Sequence, residues 1–231
     1  MPRRARLAIA GIPWHIIQRG NNRTACFYTD DDYRYYLARL KEQAEKYHCA
    51  IHAYVLMTNH VHLLVTPEKA ESASLMMKHL GQRYVQYINK TYRRSGTLWE
   101  GRFRSCLTQE KEYVLACYRY IELNPVRASM VKDPAEYTWS SYRANALGED
   151  NALLTPHFLY NGLGNKKDER QAAYRALFKA HLEDEIINDI QQATNGNFAL
   201  GNDKFKQEIE QALKRRARPA NPGRPRSRLS K

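Results

Sequence analysis

His60-Val61-His62 is the first stretch of this chain whose residue types and spacing could do chemistry. It opens a run, His60 to Thr66, that reads as a β-strand directly after a Thr58-Asn59 turn. Residues two apart on a strand share a face. Two imidazoles therefore project together, while Val61 and Leu63 turn to the core. Neutral imidazole is a common metal ligand, but two of them need further ligands or water to complete a shell. Paired surface histidines would give the same pattern. His15, His48, His52, His79, His157 and His181 have no partner at this spacing and are expected in structural roles, with His52 nearest to an exception.

The second group lies on a helix expected from Glu110 to about Leu123 and ended by Asn124-Pro125, since a proline and the residue before it break helices. Tyr120 and Asn124 are four apart and share a helix face, which sets a phenol and an amide one turn from each other. In a chain with 16 tyrosines, Tyr120 also reads as an ordinary core residue, and Asn124 as a helix C-cap.

The elements that must position these groups alternate in type. Ala8 to Arg19 reads as a strand interrupted by Pro13, followed by a Gly20-Asn21-Asn22 turn. Asp30 to His48 is expected to be helical, with an acidic start suited to a helix N-terminus. Ala50 to Met57 is a strand, then the His60 strand, then a helix from Ser72 or Ser74 to about Tyr92. Leu98 to Leu107 is a further strand region broken at Gly101. The order β-α-β-β-α-β-α predicts an α+β, ferredoxin-like (split βαβ) antiparallel sheet with helices on one face, leaving the other face for ligands. Softer helical signals follow at Asp168 to Phe178, Glu183 to Ala193, and from Asn202-Asp203 through Arg216. The expected organisation is a mixed α+β core domain over 1–145, a mostly helical region over 146–216 and a disordered basic tail over 217–231.

Composition narrows the class. With 231 residues and 43% hydrophobic content the chain can fill a core. It has no apolar run long enough to span a bilayer and no secretory leader, so a cytoplasmic, nucleoid-associated protein without a membrane is expected. Cys26, Cys49, Cys106 and Cys117 form no Cys-x-x-Cys pair and should be reduced thiols. The 37 Lys and Arg against 24 Asp and Glu give +13, a surplus that suits a polyanion, most often nucleic acid. Ten basic and two acidic residues fall between Lys204 and Lys231. Arg83, Lys90, Arg93, Arg94, Arg102 and Arg104 are interleaved with Tyr84, Tyr87, Tyr92, Trp99 and Phe103, a mixture that suits single strands if the rings are not all in the core. Asn21, Asn22 and Arg23 form a loop able to read bases. Gly223-Arg224-Pro225 is like the core of an AT-hook, although a polybasic arm gives the same signal.

Four stretches together resemble a known family: Asn59-His60-Val61-His62-Leu63-Leu64, Tyr120-Ile121-Glu122-Leu123-Asn124-Pro125-Val126-Arg127-Ala128, Arg19-Gly20-Asn21-Asn22-Arg23 and Leu98-Trp99-Glu100-Gly101-Arg102-Phe103. Over about residues 5 to 145 they are similar to the REP-associated tyrosine transposases, single-tyrosine HUH endonucleases related to small insertion-sequence transposases. Those relatives usually carry Gln where this chain has Asn124, which points to the REP-associated branch. The resemblance implies that His60, His62 and Asn124 hold Mg2+ or Mn2+, that Tyr120 is the nucleophile, and that the substrate is single-stranded DNA with a hairpin and an adjacent tetranucleotide. It adds Arg19 and Arg127 to the candidate DNA contacts. A monomer or a homodimer would fit.

A tyrosine nucleophile suits cutting followed by rejoining, because a covalent ester keeps the bond energy that water would lose. Three other readings remain: a transposase moving its own element, a non-catalytic hairpin-binding protein, and a metal-dependent hydrolytic nuclease.

Overall fold

Pro13 decides where the sheet begins. The sequence looks extended from Ala8, but proline has no N–H for a ladder. In the computed structural model, which describes residues 5–219, strand β1 runs only from Trp14 to Arg19. The Pro13 carbonyl still accepts from the Thr108 N–H at 2.8 Å. Helix α1 (Asp30–Lys46) follows. Asp32 caps its start, one carboxylate oxygen accepting the backbone N–H groups of Tyr28 at 2.8 Å and Thr29 at 3.1 Å. Strands β2 (Cys49–Met57) and β3 (His60–Pro67) form a hairpin across Thr58-Asn59. Helix α2 (Ser72–Thr91) leads to β4 (Arg104–Thr108). The expected strand from Leu98 is shorter: Gly101 has φ +143°, and before it only Trp99 bridges to Gly20.

The strand order is β2-β3-β1-β4-β5, with β1 antiparallel to both β3 and β4, as in the split βαβ arrangement. Strand β5 is two residues, Ala199–Leu200, added parallel to β4. Two residues carry no readable period, so no sequence pattern marks it.

Alternation assigns the faces. Trp14, Ile16, Val61, Leu63, Val65 and Leu107 pack against α1 and α2 through Tyr36, Leu40, Leu80 and Tyr84. The opposite face, which the split pattern by itself leaves open, is covered. Ala53, Val55, Leu64 and Cys106 meet Val114, Cys117, Tyr118 and Ile121 of helix α3 (Glu110–Glu122). The chain leaves helix α3 at Glu122, just ahead of Asn124-Pro125, as the breakers predict. After Leu123 it enters a one-turn helix α4 (Asn124–Arg127), where Pro125 is tolerated because first-turn N–H groups need no partner.

Later helices complete this second core: α5 (Tyr142–Leu147), α6 (Phe158–Asn161), α7 (Lys167–Lys179) and α8 (Asp184–Gly196). Tyr160, Tyr174 and Ile190 share it with α3. Helix α9 (Asp203–Leu213) returns to the first core through Ile209. All four cysteines are free and buried. Among the described residues no helix is long and apolar enough to cross a membrane. Most of the expected basic tail, with Arg224, lies outside the described residues.

At the back of α3, Glu122 is fully buried and accepts hydrogen bonds from Ser141 (2.5 Å), Asn145 (2.8 Å) and Tyr174 (2.6 Å). Burial raises its pKa to about 7 against the opposing hydrogen bonds. A carboxyl raised from 4.5 holds its proton longer when folded, so its contribution is full below pH 4.5 and declines by about 3 kcal/mol as pH rises to 7. Glu122→Gln removes that term. We expect the stability difference between wild type and Glu122→Gln to change over this window, read by urea unfolding at several pH values. A constant difference would refute the assignment.

Candidate active site

The β2–β3 hairpin turns directly into the first histidine, so Asn59 and His60 are neighbours at the sheet edge. Asn59 donates its amide N–H to the Arg23 carbonyl at 3.0 Å. Its oxygen must then face His60 Nδ1, 2.6 Å away. That oxygen can only accept, so His60 carries its proton on Nδ1 and keeps a lone pair on Nε2. Burial and the nearby Arg19 charge lower the His60 pKa to about 4. His62, 2% exposed, is pushed well below the ordinary value, first by burial and then by His15, His60, Arg19 and Arg127. Neutral imidazoles are the ligand form. The His60 and His62 rings are 5.1 Å apart, edge to face.

Helix α3 places Tyr120 beside His62. Its ring centroid is 5.7 Å from that of His62, and the Arg127 guanidinium carbon sits 4.7 Å from its centre. Burial does not single it out, since many of the tyrosines are buried. Its hydroxyl does. Tyr84, Tyr137, Tyr160 and Tyr174 all donate to a carbonyl or carboxylate. The Tyr120 hydroxyl has no hydrogen bond among the described residues, and it is not one of the buried orphan atoms. Its ring belongs to the second core, and its unpartnered oxygen lies beside His15, His62 and Arg127.

Asn124 serves both readings of its position. Its side-chain N–H groups donate to the Tyr120 and Ile121 carbonyls at 2.7 and 3.2 Å, which caps α3 without a left-handed residue. Among the described residues its Oδ1 makes no hydrogen bond. Two lone-pair nitrogens and an amide oxygen are a mixed donor set: the oxygen suits a hard divalent cation, and the imidazoles favour a softer one such as Mn2+ over Mg2+. Among the described residues no three His, Cys, Asp or Glu side chains are grouped as metal ligands.

The residue that sequence reasoning missed is His15, expected to be structural. It lies on β1 opposite Leu64, diagonal to His62, and is 1% exposed. Its Nε2 is 2.8 Å from His62 Nδ1, its Nδ1 is 2.8 Å from Thr194 Oγ1, and its ring is 5.5 Å from that of Tyr120. Burial lowers its pKa to about 3. Finding it needs the β1–β3 register, which a sequence does not display. His52, the expected exception, instead bonds the Thr155 carbonyl and the Thr66 hydroxyl.

The expected DNA contacts separate into two groups. Arg19, Arg102 and Arg104 line one small cleft with Gly101 and Asn195 of α8. Arg104 also bonds Asn195 at 2.8 Å and pairs with Glu100 at 3.6 Å. Asn21, Asn22 and Arg23 form a 3-10 turn at the end of β1, tied to the hairpin by Asn59. Arg83, Arg93 and Arg94 belong to the other layer. Arg83 pairs with Glu42 of α1, Arg94 bonds the Tyr28 hydroxyl, and Arg93 stands just past α2 with φ +48°. Tyr84, Trp99 and Phe103 are buried in the first core.

Residues 8–124 match the family described as IS200-like transposases. The chain belongs to that family. The matched segment of this IS200-like transposase ends at Asn124, so it contains both histidines and Tyr120. Among solved structures, a REP-associated tyrosine transposase bound to a REP hairpin superposes with a TM-score of 0.56 at 17% identity, covering 68% of this chain and 93% of that one. It shows that the fold is shared. A transposase-assigned protein from Deinococcus radiodurans aligns with a TM-score of 0.37 at 17% identity, over 56% of this chain and 92% of that one. No protein of curated function matches the transposase sequence.

Proposed function

We propose that this transposase nicks and rejoins single-stranded DNA at hairpins through a covalent 5′-phosphotyrosine, with Mg2+ or Mn2+ held by His60, His62 and Asn124, and that it belongs to the REP-associated branch. The observation that carries the reading is the Tyr120 phenol, unpartnered among the described residues and set against the neutral His15 and His62 imidazoles under Arg127. The hairpin-bound relative of the same fold supports the choice of DNA.

A bound cation would supply Lewis-acid polarisation of the scissile phosphate. The chain does the rest. Tyr120 Oη attacks phosphorus and forms the Tyr–O–P bond as the P–O3′ bond breaks. The phenolic proton passes to solvent and the departing 3′ oxygen takes one up, leaving a free 3′-hydroxyl. The reverse step uses an incoming 3′-hydroxyl, so no external energy source is needed. Arg127 and Arg19 hold phosphate charge beside the phenol. Arg23, Arg102 and Arg104 track the strand along the same face. Arg83, Arg93 and Arg94 would be reached only by a strand that wraps to the other layer.

The test uses hairpin oligonucleotides from the protein's own genomic surroundings, labelled at the 3′ end. Label at protein mass on a denaturing gel, together with a polymerase-extendable 3′ end, is expected with Mg2+ or Mn2+ and not with EDTA. Free 5′-phosphate ends without adduct would instead mark a hydrolytic nuclease, and tight binding without cleavage a binding protein. His60→Ala should slow nicking by about a hundredfold or more, the equivalent of about 3 kcal/mol of lost charge stabilisation. Unchanged nicking in this variant would remove the cation from the mechanism.

A further inference from the structure

Helix α8 lies outside the family-matched segment, yet it reaches the histidines. We propose that Thr194 of α8, acting through His15, fixes which ring nitrogen of His62 carries the proton, so that the C-terminal region is a positioning part of the catalytic centre. The proposal rests on the reading of His60 and His62 as cation ligands.

Its basis is a chain of hydrogen bonds in which each direction follows from the one before. The Thr194 hydroxyl donates to the Ile190 carbonyl at 2.7 Å. A carbonyl only accepts, so the hydroxyl hydrogen is committed and the oxygen presents lone pairs elsewhere. One faces His15 Nδ1 at 2.8 Å, and His15 must therefore carry its proton on Nδ1. A neutral imidazole has a single N–H, which leaves a lone pair on His15 Nε2. That atom is 2.8 Å from His62 Nδ1, so His62 must donate from Nδ1. The two ring planes lie within 6° of parallel, which suits an in-plane contact. His62 is left with its lone pair on Nε2. In the opposite tautomer an N–H would occupy that position and repel a cation.

Cys106 Sγ approaches Thr194 Oγ1 at 3.3 Å and can add a second donor, reinforcing the oxygen as an acceptor. His60 reaches the same protonation pattern separately through Asn59. Outer hydrogen bonds of this kind orient ligating histidines and select their tautomer. Here the outermost member belongs to a helix more than a hundred residues away in sequence.

The test uses the full chain, metal-free, with 15N-labelled histidine. A two-bond 1H–15N correlation reads each imidazole tautomer, and electron paramagnetic resonance of free Mn2+ reads affinity. The expected wild-type result is an Nδ1–H form of His62. Thr194→Val, nearly isosteric, should shift His62 towards the Nε2–H form and weaken Mn2+ binding about tenfold or more. Thr194→Ser should restore both. A merely structural Thr194 would change the melting temperature and leave tautomer and Mn2+ affinity alone, which overturns the proposal. So does an Nε2–H form in wild type, a result that needs no variant to fold. A wild type with the stated tautomer that binds no Mn2+ overturns the cation reading, and with it the role proposed for the relay. A mixed His62 tautomer with tight Mn2+ binding overturns the relay alone.

Discussion

Tyr120→Phe is expected to reduce the protein–DNA adduct below detection, at least about 10³-fold in nicking, while hairpin affinity stays within about twofold. The substitution deletes one atom that no described residue bonds. The ring keeps its edge contacts with His15 and His62 and its place under Arg127. Stability should therefore change by less than about 0.5 kcal/mol. Neighbouring tyrosines cannot substitute. Tyr118 is fully buried and its oxygen accepts the His157 N–H at 3.4 Å. Tyr113 donates to Asp189 on α8 at 3.3 Å. Adduct yield and binding constant, measured on the same labelled hairpin, separate loss of chemistry from loss of grip. A persistent adduct would move the nucleophile elsewhere.

The second large effect is acid lability. His52 is buried between Thr155 and Thr66, and burial lowers its pKa from 6.5 to about 4; His15 falls further, to about 3. A histidine depressed in the folded state contributes stability that is complete above pH 6.5 and is lost as pH falls towards the folded pKa. At pH 4.5 these two alone cost about 5 kcal/mol, at roughly 1.4 kcal/mol per pH unit for each, and in the metal-free protein His60 and His62, lowered the same way, add to that cost. Glu122 works in the opposite direction and gains about 3 kcal/mol between pH 7 and 4.5. The histidines prevail, and below pH 4.5 the Glu122 gain is exhausted while theirs continues to fall. Against typical domain stabilities of about 5–15 kcal/mol, unfolding is expected to set in between pH 4 and 3. Urea unfolding of the metal-free protein from pH 7 downwards measures this. A flat profile to pH 4 would show that one or both rings reach solvent.

Strand parity made the pairing of the two candidate histidines legible from sequence. His60 and His62 share a face by strand alternation alone, and Tyr120 and Asn124 by helical spacing. The element order through β4 was equally legible, because hydrophobic period and breakers are local properties. What stayed hidden depends on pairing. His15 acquires its position only when β1 is registered against β3, with His15 opposite Leu64. Thr194 becomes relevant only because α8 packs on β4 and α3. Arg83 and Arg104 lie in one stretch of sequence that offered both as DNA contacts; tertiary packing sends them to different layers, since α2 covers the face opposite the histidines and Arg104 meets Asn195 of α8. Aromatic content likewise could not tell stacking platforms from core, and Tyr84, Trp99 and Phe103 went to the core.

The burial of Glu122 has a consequence for the order of events on DNA. Its three hydrogen bonds fasten the end of α3 to the segments bearing Ser141, Asn145 and Tyr174, and the Tyr113–Asp189 contact holds the other end. The rod carrying Tyr120 cannot swing without unmaking the second core. In the proposed reaction the broken strand is thus moored to a fixed post, and sealing occurs where cutting occurred. Among the described residues no element is free to carry one end to another. Any rearranged product must come from the DNA itself, when one loose 3′ end drifts out and a different one arrives before the first returns. The balance between faithful repair and recombination is then a race between strands, set by how tightly the departing end is held in the Arg19–Arg104 cleft.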